Sequence, residues 1–193
     1  MITYNYEIGV IHGRFQVLHN DHLKYIMAGK AMCRHLVVGI TNPDPVLSRK
    51  EETDVNRSSP FANPLTYYER YVLVKTVLEE GLDARQFSIV PFPVSFPELY
   101  KYYVPMDAVF FLSIYDEWGR KKHAYFTEMG LKTHILRDVP SEEKGLSATD
   151  IRMLMKDECT WEHLVPQAAQ RLLIEWEIPA RLKTLFRVSP TLL

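Results

Sequence analysis

The chain has 193 residues, 47% of them hydrophobic and 24% charged, an ordinary globular composition that excludes a disordered or fibrous protein. The formal net charge of −1 supplies no global field for nucleic acid or an anionic membrane, so any anion site must be a local arrangement. The two cysteines, Cys33 and Cys159, lie far apart and outside any C-x-x-C pair, which favours reduced thiols over a disulfide framework or a zinc knuckle. The opening MITYNYEIGVIHGRF lacks the basic start and long apolar stretch of a signal peptide. No window holds the roughly 18 apolar residues of a membrane span, and the expectation is a soluble, cytoplasmic protein.

In chain order, Ile8–Ile11 is a short, β-branched apolar run closed by Gly13, which predicts a buried strand. After a turn at 14–20, the helical spacing of Leu23, Ile26, Met27 and Ala31 predicts an amphipathic helix with Asp21 at its N-cap or first turn. Leu36–Ile40 reads as a second strand. Residues 42–64 break the rhythm with prolines and polar residues and read as a long functional or mobile loop. Thr66-Tyr67-Tyr68-Glu69 matches a capping box and opens a helix to about Glu80, ended by Gly81.

A third strand is expected at Phe87–Val90, then an irregular proline-rich stretch over 91–105 with a short helix at most. Ala108–Leu112 reads as a fourth strand, Lys121–Met129 as a helix and Thr133–Leu136 as a fifth strand. Ser147-Ala148-Thr149-Asp150 reads as a second capping box, opening a helix to about Lys156. A helix follows from about Gln167 to Glu177, and Pro179 interrupts it before ARLKTLF. Alternating strands and helices predict an α/β fold, a doubly wound parallel sheet with a C-terminal helical segment. The expected organisation is a single domain, 1–156 forming the α/β core and 157–193 the C-terminal helices. Ligands of such sheets bind beyond the carboxyl ends of the strands, where loops 12–22 and 137–149 should meet.

Those two loops carry the candidate chemistry. His19 and His22 lie three apart at a helix start, beside Arg14. A helix N-terminus carries unpaired N–H groups and about half a positive charge, which favours phosphate. Imidazole N–H groups can donate to the oxygens of a pentacoordinate phosphorus. By spacing alone, a histidine pair at a helix start is more often a surface pair. A zinc site is disfavoured because no H-E-x-x-H pattern or third ligand is near. In the second loop, Ser147 and Thr149 offer hydroxyls at a helix N-terminus, and Arg152 adds a guanidinium one turn in. Its plain alternative is an ordinary helix cap.

Together the strand followed by GRFQ-x-x-H-x-x-H and the late S-x-T-x-I-R resemble the HxGH nucleotidyltransferases, and more narrowly the archaeal-type nicotinamide mononucleotide (NMN) adenylyltransferases. The run Asn63-Pro64-Leu65-Thr66-Tyr67-Tyr68-Glu69-Arg70 is similar to the family's N-P-F-T-x-x-E-R. Pro91-Phe92-Pro93-Val94 and Trp161-Glu162-His163-Leu164-Val165-Pro166 are similar to its P-I-P and W-x-x-L-V-P segments. The resemblance covers nearly the whole chain.

What the resemblance implies is transfer of AMP from ATP to the phosphate of NMN, giving NAD and pyrophosphate, with Rossmann-like folding. His19, His22, Arg14 and Arg152 would be catalytic. Gly13, Phe15, Gln16, Ser147, Ala148, Thr149 and Ile151 would surround the nucleotide, with Ser147, Thr149 and Arg152 holding the β- and γ-phosphates. Arg70, Asn63, Tyr115 and Trp118 would face the acceptor. No dedicated protein metal site is implied: Mg²⁺ would be held mostly by phosphates and water. The partners would be ATP and a phosphorylated acceptor, with neither nucleic acid nor membrane. Family members often form homo-oligomers, which the sequence leaves open.

Two departures bear on the substrate. Asp21 stands where the family has glycine, either repelling the triphosphate or capping the helix. The family's Ser-Gly-Asn after the fourth strand is replaced by Leu112-Ser113-Ile114-Tyr115-Asp116-Glu117-Trp118. The alternatives are therefore an adenylyl- or cytidylyltransferase for another small phosphorylated acceptor, or a catalytically weak nucleotide-binding module.

Overall fold

The structure, a computed structural model, describes residues 4–42 and 59–188. Five parallel strands form one sheet: β1 (Tyr6–Gly13), β2 (Cys33–Thr41), β3 (Phe87–Phe92), β4 (Val109–Ile114) and β5 (Lys132–Asp138). Their spatial order is β3-β2-β1-β4-β5. The chain winds outward from β1 through β2 to β3, then crosses to the other side of β1 for β4 and β5. The reversal leaves a crevice at the carboxyl ends of β1 and β4, the usual ligand position in an open α/β sheet. The expected α/β class is the observed one, and each strand runs one or more residues longer than its expected apolar run.

Among the described residues there are six α-helices: α1 (Asn20–Met32), α2 (Tyr67–Glu79), α3 (Glu117–Glu128), α4 (Ala148–Lys156), α5 (Gln167–Glu175) and α6 (Ile178–Val188). Alternation along β1 divides the core. Ile11 joins a layer with Ile26 of α1, Leu73 of α2, Ile151 of α4, Leu173 of α5 and Leu182 of α6. Val10 joins a largely aromatic layer with Phe92, Phe110, Tyr100 and Phe126 of α3. His12 is two residues beyond Val10 and therefore points to the aromatic side.

Several boundaries differ from the sequence expectation for local reasons. His19 is the N-cap of α1, and Asp21 lies in its first turn, one of the two places expected for it. Helix α3 begins four residues before Lys121, because the Asp116 side chain accepts from Gly119 N–H and closes the first turn earlier. Thr66 and Glu69 form the full capping box on α2. On α4, Ser147 accepts from Asp150 N–H at 3.1 Å, but the Asp150 carboxylate takes the Ser147 hydroxyl at 2.6 Å instead of reaching the N-cap backbone. Aspartate is one methylene shorter than the Glu of a complete box. The C-terminal break falls before Pro179: α5 ends at Glu175, Glu177 adopts φ 53°, and Pro179 sits in the first turn of α6, where its missing N–H costs nothing. The short helix expected in 91–105 is a 3₁₀ segment at Pro97–Tyr102. Most of the long loop, residues 43–58, lies outside the described residues, as do 189–193. Among the described residues, no helix is long and apolar enough to cross a membrane.

Candidate active site

The β1–α1 turn is wound tightly around its own side chains. Phe15 has φ 51° and folds its ring beneath Gly13, where a Cβ would lie 2.8 Å from the Phe15 ring. Only glycine allows that approach. Gln16 donates to the Leu65 carbonyl and accepts from Leu65 N–H, both at 2.9 Å, tying the turn to the entry of α2. The chain then reaches His19, whose Nδ1 accepts from His22 N–H at 3.3 Å. That bond occupies the Nδ1 lone pair, so the proton of the neutral ring resides on Nε2. The His19 and His22 rings stack at 3.7 Å between centroids. Burial holds the His19 pKa down at about 4, with Lys144 adding to the effect and Asp21 opposing it. Burial, then the neighbouring His19, push His22 well below the ordinary histidine value. Both rings are thus neutral donors at physiological pH.

Asp21 joins this turn to the second loop. Its carboxylate accepts from Leu146 N–H at 2.8 Å and pairs with Lys24 at 2.8 Å. Partial burial opposes ionisation, yet the bonds from Lys24 and Leu146 hold its pKa below the usual carboxylate value. Asp21 is a clasp between α1 and the entry to α4. Neighbouring Gly145 has φ +84°, and a Cβ there would meet Asp21 Oδ2 at 2.5 Å, so this position is closed to side chains on two counts.

The opposite wall comes from β4 and α3. Ser113, Tyr115, Asp116, Trp118, Gly119 and Lys122 face the same cavity, with Lys122 Nζ 4.5 Å from the Trp118 ring centroid. Tyr25 donates its hydroxyl to the Phe111 carbonyl at 2.8 Å, fixing α1 against β4 at the cavity edge. The cavity volume is about 440 Å³, within the range of small-molecule sites.

Of the residues singled out in the sequence, Gly13, Arg14, Gln16, His19, His22, Tyr115, Trp118, Ser147, Ala148 and Thr149 all line this one cavity. Five do not. Arg70 was expected at the acceptor, but it is 3% exposed and donates to the carbonyls of Arg14, Thr41, Asn42 and Thr66. It holds the floor of the site from behind. Arg152 was expected on the phosphates, but it is 2% exposed and donates to the Gln16 carbonyl and, at 3.0 Å, to Thr149 Oγ1. It ties the two loops together beneath the cavity. Ile151 and Phe15 are core side chains, and Asn63 donates to the Ser59 carbonyl at 3.1 Å, away from the cavity. A motif arginine next to a phosphate loop reads identically in sequence whether it meets phosphate or backbone.

Sequence reasoning missed His12, Tyr25, Lys122 and Lys144 in the cavity lining. His12 carried a legible signal: a polar residue at the carboxyl end of a central strand, on the face that Val10 assigns to the core. Lys122 and Lys144 carried none, because a lysine on a polar helix or loop is ordinary.

No family model matches the chain. It is 46% identical over 176 residues, 91% of its length, to the phosphonoformate cytidylyltransferase of Streptomyces viridochromogenes, covering 95% of that protein. The chain belongs to the nucleotidyltransferase family. This nucleotidyltransferase is also 29% identical, over 92% of its length, to the nicotinamide-nucleotide adenylyltransferase of Thermococcus sibiricus, covering 88% of that protein. Its fold is that of a bifunctional NMN adenylyltransferase/ADP ribose pyrophosphatase from Francisella tularensis, with a TM-score of 0.56 at 14% identity. That match takes in 94% of this nucleotidyltransferase and 56% of the larger chain.

Proposed function

We propose that this enzyme transfers CMP from CTP to an oxygen of a small phosphonate or phosphate acceptor, with release of pyrophosphate. The observation that carries the choice is the similarity to the Streptomyces cytidylyltransferase, 46% against 26–29% for the archaeal adenylyltransferases over comparable lengths. The acceptor oxygen forms a bond to the α-phosphorus as the bond from that phosphorus to the β-phosphate oxygen breaks. No covalent enzyme intermediate is needed, because a phosphonate or phosphate oxygen is already a competent nucleophile at neutral pH.

The triphosphate lies against the first turns of α1 and α4, with Arg14, Lys144, Ser147 and Thr149 around it. His19 donates through Nε2–H to the oxygens of the α-phosphorus as charge builds there, and His22 stacks behind it and fixes the ring plane. As a donor already in place, His19 acts on the developing charge without reorganising. Among the described residues no group of three His, Cys, Asp or Glu side chains is arranged to hold a metal ion. Mg²⁺ would enter as part of the metal–nucleotide complex, neutralising phosphate charge while bound chiefly by phosphate oxygens and water.

The second reading, adenylyl transfer to NMN, is favoured by Tyr115 and Trp118 in the cavity wall, since either ring can stack on a nicotinamide. Pyrophosphate release from purified protein separates the two, using CTP or ATP with phosphonoformate, methylphosphonate, NMN and nicotinate mononucleotide. CTP-dependent release with a phosphonate is the expected result. Release only with ATP and NMN would overturn the cytidylyl assignment and leave the chemistry standing.

A further inference from the structure

Most buried polar atoms have a hydrogen-bond partner, and one that lacks it calls for a reason. His12 is 7% exposed, and neither Nδ1 nor Nε2 has a partner among the described residues. Its ring lies between Phe92 and Phe126, at centroid distances of 5.3 and 5.7 Å, and borders the cavity. A phenylalanine or leucine would serve packing better, since leaving a buried imidazole unbonded costs about 1–3 kcal/mol. The surrounding geometry supplies the reason. On α3, Trp118, Lys122 and Phe126 follow one another at four-residue spacing, a single face running from the cavity mouth inward. Phe126 touches His12, and Lys122, one turn outward, is close enough for its charge to lower the His12 pKa, on top of the larger effect of burial. The wall thus offers an aromatic face, an ammonium and a buried imidazole, on the opposite side of the cavity from His19 and Ser147.

We propose that His12 and Lys122 form the acceptor subsite, and that they receive a second anionic group, a carboxylate, carried by the acceptor beside its phosphonate or phosphate. This rests on the nucleotidyl-transfer assignment and deepens it: the acceptor is a compact dianionic molecule, not one with a bulky apolar end. The imidazole N–H donates to one carboxylate oxygen, and the Lys122 ammonium balances the charge. His12 is here a specificity-determining residue, while the phosphorus chemistry stays with His19 and His22.

Two measurements test this. In the first, phosphonoformate is titrated into wild-type protein labelled with ¹⁵N-histidine, and the His12 ring resonances, assigned from the His12→Asn variant, are followed without turnover. They are expected to move saturably, and methylphosphonate, which lacks the carboxylate, should leave them in place. In the second, kcat/KM for phosphonoformate over methylphosphonate is compared in wild type, His12→Asn and His12→Phe, with CTP binding as the fold control. Wild type should prefer phosphonoformate at least tenfold. His12→Phe should lose that preference through KM, with KM for CTP within about twofold, and His12→Asn should retain part of it. Resonances that stay still at saturating phosphonoformate, or a preference unchanged in His12→Phe, would overturn the subsite. If no acceptor gives pyrophosphate while the resonances still move, the enzyme assignment fails and the anion site stands.

Discussion

The two walls of the cavity are built on opposite plans. On the side of His19, Asp21 and Ser147, polar groups are held by one another: Gln16 by Leu65, Asp21 by Leu146 and Lys24, and Thr149 by Arg152. Among the described residues, two buried atoms there lack partners, His22 Nδ1 and Arg152 Nε, but His22 still bonds the Val17 carbonyl and Arg152 the Gln16 carbonyl. On the α3 side, both nitrogens of His12 stand without a partner among the described residues, in an aromatic surround. A pre-tied wall suits a triphosphate that is the same in every turnover, because preorganised donors need no rearrangement as charge develops. A wall with unmet donors suits discrimination, since a ligand lacking the matching group leaves them unpaired.

The sharpest way to break this comparison is His19→Asn. Asparagine keeps a good N-cap for α1 and removes the Nε2–H donor. Steady-state kinetics should show kcat reduced about 10²–10³-fold, with little change in melting temperature. A retained kcat would take His19 out of the chemistry.

Acid should weaken the fold through the buried imidazoles. The folded pKa of His19 is about 4, against 6.5 for the unfolded chain, so the unfolded state binds more protons between those values. Stability is then full above about pH 6.5 and declines as pH falls towards 4, with His19 alone accounting for about 3 kcal/mol. His12 and His22, both lowered well below the ordinary value, act in the same direction. Urea unfolding midpoints across that window measure it, and a flat profile would contradict the buried neutral rings.

Arg70→Met separates support from contact. Removing a guanidinium that serves four carbonyls should lower stability by about 2–3 kcal/mol, read as a lower urea midpoint. An unchanged midpoint with a raised KM would return Arg70 to the ligand. The smallest expected effect is at the clasp. Asp21→Gly should cost about 1 kcal/mol and raise KM for the nucleotide a few-fold by loosening Leu146 and Ser147. Gly145→Ala should be less harmful in that background than in wild type, because the 2.5 Å approach to Asp21 disappears. A double-mutant cycle showing strict additivity would deny the contact.

By itself the sequence determined the alternation of strands and helices, the capping box at Thr66 and the N-cap at Ser147, and the convergence of the 12–22 and 137–149 loops on one sheet edge. Each depends on local periodicity, backbone preference or motif spacing, which neighbouring residues settle among themselves. Only the tertiary structure decided that Arg70 and Arg152 bond backbone from beneath the cavity, that Asp21 clasps Leu146 125 residues away, and that His12 and Lys122 face the same space. A charged side chain's role is set by whichever donors and acceptors the fold brings within about 3 Å of it, and those partners come from distant parts of the chain.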